Sequence, residues 1–354
     1  MKGGYMLDDE NILKQRDSRG ALDVAAGEWQ QATYAATIEQ GDHDGRAIHK
    51  IVLAGMGGSA LAALLVKSWL NDVIPVPFEI VREYTLPKYV DESTLVIVSS
   101  CSGNTEETLS CLDDALAKKA QIAILTSGGE LLERAKAGDI GYILLPDRSQ
   151  LEPRMTTIAQ IRSLTQLLAH FSIIDKTYFE QIAEASDWLR SESELWAKSV
   201  SVEHNYAKLM ALIAVGKTPV FYGGSLMAPL AYKWKISWNE NAKNVAFWNT
   251  IPESNHNEFI GWSSHPIEKP FVVFDLVSEQ EHPRIQKRFN LNDRLLSGMR
   301  PKSNVVPIQG DTVVKQLLWG CILADYVSIY VAILNGVDPT QVDLIEKLKI
   351  ELNT

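Results

Sequence analysis

The sequence predicts an α/β fold made of parallel sheets in two tandem halves, and three observations predict it. Short apolar runs end in a glycine turn or a small polar loop and pass directly into a helical pattern. That grammar appears in HKIVLAGMGGSALAALLVKSWL and again in TLVIVSSCSGNTEETLSCLDDAL. It returns, beyond a stretch from Leu151 to about Lys217 that reads as helix throughout, in GKTPVFYGGSLMAPLAYKWKISWNENAK. Strands alternating with helices imply a parallel α/β sheet. The return of the pattern reads as weak internal repetition.

Taken in order, residues of about 7–40 read as helix of mixed polarity. His49 to Ala54 is a short apolar strand, Gly55 to Ser59 a glycine turn, and Ala60 to Leu70 a helix. FEIVREY, Phe78 to Tyr84, is a second strand. Thr94 to Val98 is a third, followed by a polar loop and a helix from about Glu106. AQIAILTSG and IGYILLP add two more. In the second half, Pro219 to Tyr222 is a strand, Gly223 to Ser225 a turn and Met227 to Asn239 a helix, with further strands at Lys269 to Leu276 and in NVVPIQG.

The 354 residues are 46% hydrophobic and 22% charged, an ordinary globular composition long enough for two domains. A net charge of -10 argues against nonspecific binding to nucleic acid or a membrane surface, where a basic stripe is expected. It does not argue against a small anionic substrate, which a few local donors can hold. Cys101, Cys111 and Cys321 show no CxxC spacing and no disulfide framework, which fits a reducing cytoplasm. MKGGYMLDDE has no apolar core of a signal peptide. The run Leu317 to Leu334 is interrupted by Asp325 and Ser328 and reads as a buried helix rather than a membrane span.

Two loops carry the chemistry. GMGGSA, Gly55 to Ala60, fits G-x-G-x-x-A, with Glu79 downstream as the acid of a dinucleotide site. The additional Gly58 and Ser59 favour instead a backbone that approaches an anion at a helix N-terminus. SSCSGNTEET sets Ser99, Ser100, Ser102, Asn104, Thr105 and Thr108 between strand and helix. One helix cap needs one such residue. This many hydroxyls beside Gly103 point to a phosphate. Arg154 in EPRMTT offers a fork of donors for an oxyanion. In SNHNEFIGW, Asn255, His256, Asn257 and Glu258 stand before Phe259, Ile260 and Trp262, either as a capped turn or as a proton-transfer site. The metal cue DHD, Asp42 to Asp44, has no second cluster and is rejected. Trp234, Trp238, Trp248 and Trp262 read as core.

In order, GMGGS, SCSGNTEET, EPR, KWKISWNENAK, PESNHNE, EHPRI, ADYVSIYVAILNGVDPT and LIEKLK resemble the bifunctional phosphoglucose/phosphomannose isomerases over about Leu7 to Leu352. The resemblance implies two sugar isomerase (SIS) domains, each a three-layer α/β sandwich with a parallel sheet, plus C-terminal helices. The expected division is residues 1–170, a helical connector at 171–210, and residues 211–354.

The activity it implies is interconversion of glucose 6-phosphate or mannose 6-phosphate with fructose 6-phosphate through a cis-enediol(ate), with no metal and no cofactor. Gly57, Gly58, Ser59, Ser100, Ser102 and Thr105 would hold the phosphate. Glu258 would be the base, Arg154 the oxyanion partner, and His282 with Lys349 the ring-opening pair. The family's histidine comes from a neighbouring subunit, which implies a homodimer. Cys101 stands where the family has an aromatic, and Met155 and Thr156 where it has small apolar residues. His265 competes with His282, and the helical segment 174–203 is long for the family. A noncatalytic sugar-phosphate-reading SIS module is the alternative; it needs the phosphate loop but no base.

Overall fold

The computed structural model describes residues 6–41, 44–147, 151–264 and 270–352. It divides into two compact units, Glu28–Trp188, and Met1–Gly27 together with Leu189–Thr354. The metal cue lies largely outside the described residues, which exclude Asp42 and His43. Two short helices come first, α1 (Glu10–Arg16) and α2 (Ala21–Gly27), and both belong to the second of these units.

The unit Glu28–Trp188 holds β1 (Ile38–Glu39), β2 (Lys50–Gly55), α3 (Gly57–Trp69), β3 (Phe78–Val81), β4 (Thr94–Ser100), α4 (Glu106–Ala117), β5 (Gln121–Thr126), α5 (Gly129–Ala137) and β6 (Gly141–Leu144). A 3-10 turn at Pro153–Met155 and the helices α6 (Thr157–His170) and α7 (Thr177–Glu184) follow. The sheet order is β1-β6-β5-β4-β2-β3. All neighbours are parallel except the edge strand β1, which is antiparallel to β6.

Period-two alternation gives each face of this sheet its own core. Val52, Val96, Val98 and Ile124 pack with Leu112 and Ala115 of α4 and Leu131 and Ala135 of α5. On the opposite face α3 and α6 pack against each other and onto the strands. This is the parallel α/β sheet that the strand–loop–helix grammar predicts, in the three-layer sandwich that the family resemblance implies.

The other unit continues with α8 (Ser186–Glu194), which crosses the division, α9 (Tyr206–Ala214), β7 (Thr218–Gly223), α10 (Ala228–Asn241), β8 (Phe247–Thr250), α11 (Glu258–Gly261), β9 (Phe271–Val277), α12 (Pro283–Leu295), β10 (Asn304–Pro307), α13 (Val313–Asn335) and α14 (Asp343–Leu352). Its sheet is wholly parallel, in the order β10-β9-β7-β8. Phe221 stacks on Phe274 at 5.7 Å between ring centroids and meets Trp234 and Trp238 of α10. Tyr222, Val273, Ile285, Phe289 and Trp262 form the core of the opposite face.

The helix α13 is long and apolar enough, by length and composition, to span a membrane, yet 94% of its most apolar window is buried within the fold. Its one interior charge, Asp325, receives Lys233 Nζ at 2.7 Å and Ser237 Oγ at 2.7 Å, with Lys233 fully buried. A charge so deep is tolerated only because it is paired and hydrogen-bonded. The N-terminal segment is tied to α13 and to α9. Arg16 Nη1 donates to the Ile333 carbonyl at 2.5 Å, and Lys208 Nζ donates to Asp8 at 3.0 Å.

Two expectations change: the stretch of about 7–40, read as helix, ends in the edge strand β1 at Ile38–Glu39, and Trp248 is half-buried on β8 rather than in the core. The strand β8 itself, FWNT, is an edge strand with Phe247 exposed, so its sequence carries no apolar run to announce it.

Candidate active-site residues in each unit

In the first unit the chain passes from β2 to β3 on one side and then to β4 on the other side of β2. The reversal falls between β2 and β4, and in open parallel sheets the crevice beyond the carboxyl ends of such strands takes ligands. The glycine turn follows β2 and the serine loop follows β4, so both sequence-predicted loops open there.

The turn and the loop are in close contact. A Cβ on Gly55 would lie 2.9 Å from the Ser99 carbonyl, and Ser59 Oγ is 3.9 Å from Cys101 Sγ. Gly57 has φ +52°, and the helix it opens, α3, has no side-chain cap on its N-terminus. Those amides are suited to an anion.

The serine loop is a ring of hydroxyls. Ser100 Oγ is 2.8 Å from Thr105 Oγ1 and 3.3 Å from Ser102 Oγ, and Ser102 Oγ is 3.3 Å from Thr105 Oγ1. Thr105 occupies the N-cap position of α4 but makes no capping hydrogen bond. Its hydroxyl is spent on the ring, which removes the simple-cap reading. Gly103, at φ +69°, brings the chain so close to Gly128 that a side chain has no room. Arg154 stands beside the glycine turn: a Cβ on Gly58 would sit 3.9 Å from the Arg154 Cα. Arg154 is 2% exposed and pairs with Glu152 at 3.3 Å. The acid of the dinucleotide alternative, Glu79, accepts the Tyr89 hydroxyl.

In the second unit the polar run before Trp262 divides its tasks. Asn257 Oδ1 accepts the Glu258 amide at 2.6 Å and caps α11, while Asn257 Nδ2 donates to Glu253 at 2.7 Å. Asn255 donates to Asn292 at 2.9 Å and accepts from Arg288 at 3.0 Å. His256 faces solvent.

Glu258 alone turns its carboxylate inward. The Tyr222 hydroxyl donates to Oε1, and Asn249 Nδ2 donates to Oε2 at 2.6 Å. Trp262 Nε1 donates in turn to the Tyr222 oxygen at 3.3 Å. Burial, and then the Glu258 charge, push the Tyr222 phenol far above its ordinary range, so Tyr222 acts as a donor. Glu258, Tyr222 and Trp262 line a small pocket with Asn292, Leu296 and Arg300. Residue chemistry of this kind, a carboxylate held at both oxygens with its free edge toward a pocket, can take a proton from carbon and return it.

His282 is exposed at the N-cap of α12, where its Nδ1 accepts the Arg284 amide at 3.1 Å. Lys349 lies on α14 with its side chain outside what is described, and His265 lies outside the described residues. Tyr222 and Asn249 were missed in the sequence. Tyr222 ends a strand beside the reversal of the second sheet, between β7 and β9, and that topology was the available signal.

Residues 46–170 match the SIS domain family, and residues 203–352 match the bacterial phospho-glucose isomerase C-terminal SIS domain family. A bifunctional phosphoglucose/phosphomannose isomerase of Caldicellulosiruptor bescii is 36% identical over 307 residues, covering 86% of this chain and 90% of its own. The chain belongs to the bifunctional phosphoglucose/phosphomannose isomerase family. The family member from Aquifex aeolicus is 33% identical over 307 residues, 85% of this chain and 90% of its own. Among solved structures, a hypothetical protein of Thermus thermophilus superposes with a TM-score of 0.73 at 13% identity, over 99% of this chain and 95% of its own. A glucose-6-phosphate isomerase like protein of the same organism gives a TM-score of 0.63 at 18% identity, over 97% and 98%. These likenesses carry the fold. The family membership rests on the relatives.

Proposed function

We propose that this member of the phosphoglucose/phosphomannose isomerase family interconverts glucose 6-phosphate and mannose 6-phosphate with fructose 6-phosphate, with Glu258 as the base and no metal required. The observation that carries the reading is the grip on Glu258 at both carboxylate oxygens, while Asn255 is held by Asn292 and Arg288 of α12, Asn257 caps the turn and His256 faces solvent. A noncatalytic sugar-phosphate reader has no need of an oriented carboxylate.

The hydroxyl ring of Ser100, Ser102 and Thr105, with Ser59 and the amides of Gly57 and Gly58, takes the phosphate. Glu258 removes the proton at C2 of the open-chain aldose and returns it at C1, passing through a cis-enediolate. Tyr222 and Asn249 keep the carboxylate in one rotamer, so little orientation is lost at the transition state. Arg154 stabilises the charge that develops on oxygen. His282 and Lys349 move the proton that opens the pyranose. Sharing of the histidine between subunits, as the family resemblance implies, makes the working form a homodimer.

The test is a coupled assay with each aldose and with fructose 6-phosphate, in the presence of a chelator. Exchange of the C2 proton in deuterated water is followed alongside. Glu258→Gln keeps the fold and lowers turnover by about a hundredfold or more. Near-normal turnover or exchange in this variant rejects Glu258 as the base.

A further inference from the structure

The two sheets run the same course, β5-β4-β2-β3 in one unit and β10-β9-β7-β8 in the other. The turn after β7 therefore corresponds to the glycine turn after β2, and the loop after β9 corresponds to the serine loop after β4. In the first unit that crevice is furnished with donors. In the second unit the corresponding place is already full.

Glu281, on the loop after β9, reaches into the turn after β7 with only 3% of its surface exposed. Its Oε1 accepts the amides of Leu226 at 2.8 Å and Met227 at 3.1 Å, at the N-terminal end of α10. The Ser225 amide also favours the charged carboxylate. The turn is shaped around this group, because a Cβ on Gly224 would run into the Glu281 carboxyl and the Ile285 side chain. The next residue is His282, which caps α12. Burial pushes the Glu281 carboxyl above its usual value, and the three amides oppose that rise. So the group is desolvated at a cost and held by the helix end that elsewhere awaits an anion.

We propose that Glu281 is a positioning residue that supplies from within the chain the anion which the corresponding crevice of the first unit takes from its ligand, so that the second crevice is closed to phosphate and the turn presenting His282 is latched. The part concerning His282 rests on the ring-opening role proposed above; the filled crevice does not.

Glu281→Ala should vacate the crevice. Formate, tested against chloride at equal ionic strength, then raises the melting temperature of this variant saturably, with a smaller response or none in the wild type and in Gly224→Ala, whose added methyl occupies the space. Turnover of cyclic substrate in Glu281→Ala falls about tenfold or more with KM little changed, and formate restores part of it. Glu281→Gln, which keeps an acceptor oxygen, retains more activity than Ala and is the deciding variant if Ala does not fold. Wild-type turnover in Glu281→Gln overturns the role of the anion in the latch, and wild-type turnover in Gly224→Ala overturns the latch. A Glu281→Ala protein indifferent to formate overturns the filled crevice. Should His282→Ala itself leave turnover unchanged, the failure belongs to the functional reading and the melting data alone judge Glu281.

Discussion

Asn255 to Glu258 are four consecutive polar side chains with different jobs, and only contacts distant in sequence separate them. The sequence shows that amides and a carboxylate are gathered before apolar residues. It does not show that Asn255 serves Arg288 and Asn292, or that Tyr222 and Asn249 meet Glu258. Those pairings depend on strand register. Tyr222→Phe keeps the ring in the core and removes one of the two bonds on the base, so kcat should fall about tenfold with KM nearly unchanged. Steady-state kinetics with both aldoses checks it, and an equal loss in KM would mean that the phenol binds substrate instead. Asp275, which pairs with Tyr222 across β9 and β7, is 2% exposed, and burial pushes its carboxyl up to about 6, against help from Ser303 and Arg300. A raised folded-state value means that stability is greatest below the unfolded value of about 4 and is lost as pH rises toward about 6. Asp275→Asn lacks that loss. Its stability relative to wild type should therefore improve between those pH values by up to about 3 kcal/mol, measured by urea unfolding. A gap independent of pH would remove the buried ionisation from the account.

At the scale of elements, the strands and helices flanking the two glycine turns were legible because each apolar run is bounded by residues that can only turn. The serine loop was legible too, since more hydroxyls than a cap requires demand another use. What stayed hidden were elements without an apolar period, β8 among them, and the loop after β9, where Glu281 carries no sequence pattern to separate it from a surface carboxylate. Ser102→Ala with Thr105→Ala removes two members of the hydroxyl ring and should raise KM strongly for a phosphosugar, because those donors serve ground and transition states alike. A KM within about twofold of wild type would return the loop to a purely structural role. The pairing of α10 with α13 gives a stability test. Asp325→Ala strands Lys233 in a dry interior and should cost about 3–5 kcal/mol, visible as a fall in the unfolding midpoint. A smaller cost would mean that water reaches the pair.

At the scale of the molecule, the family membership and the proposed chemistry bear on substrate breadth. Glucose and mannose 6-phosphates differ only at C2 and share one enediol, so one base serves both if the C2–C3 bond turns in the pocket. Tenfold discrimination needs about 1.4 kcal/mol. Both aldoses should therefore interconvert with fructose 6-phosphate at kcat/KM values within about two orders of magnitude. Activity with glucose 6-phosphate alone would make this a single-substrate isomerase. Mixed dimers of Glu258→Gln and His282→Ala should recover activity if subunits share the histidine, and verified subunit exchange without recovery would reject the shared arrangement.

The assignment of α1 and α2 to the later unit has a consequence for synthesis. Residues 6–27 leave the ribosome before residues 28–188, yet their anchors on α13 arrive some three hundred residues later, as with Arg16 and the Ile333 carbonyl. At about 5–20 residues per second that is a wait of roughly 15–60 s. The intervening unit can complete itself as an insertion during this interval. The early helices cannot, because their partners do not yet exist. Nascent chains stalled before α13 should thus carry a protease-resistant core confined to residues 28–188, with residues 6–27 still open to cleavage.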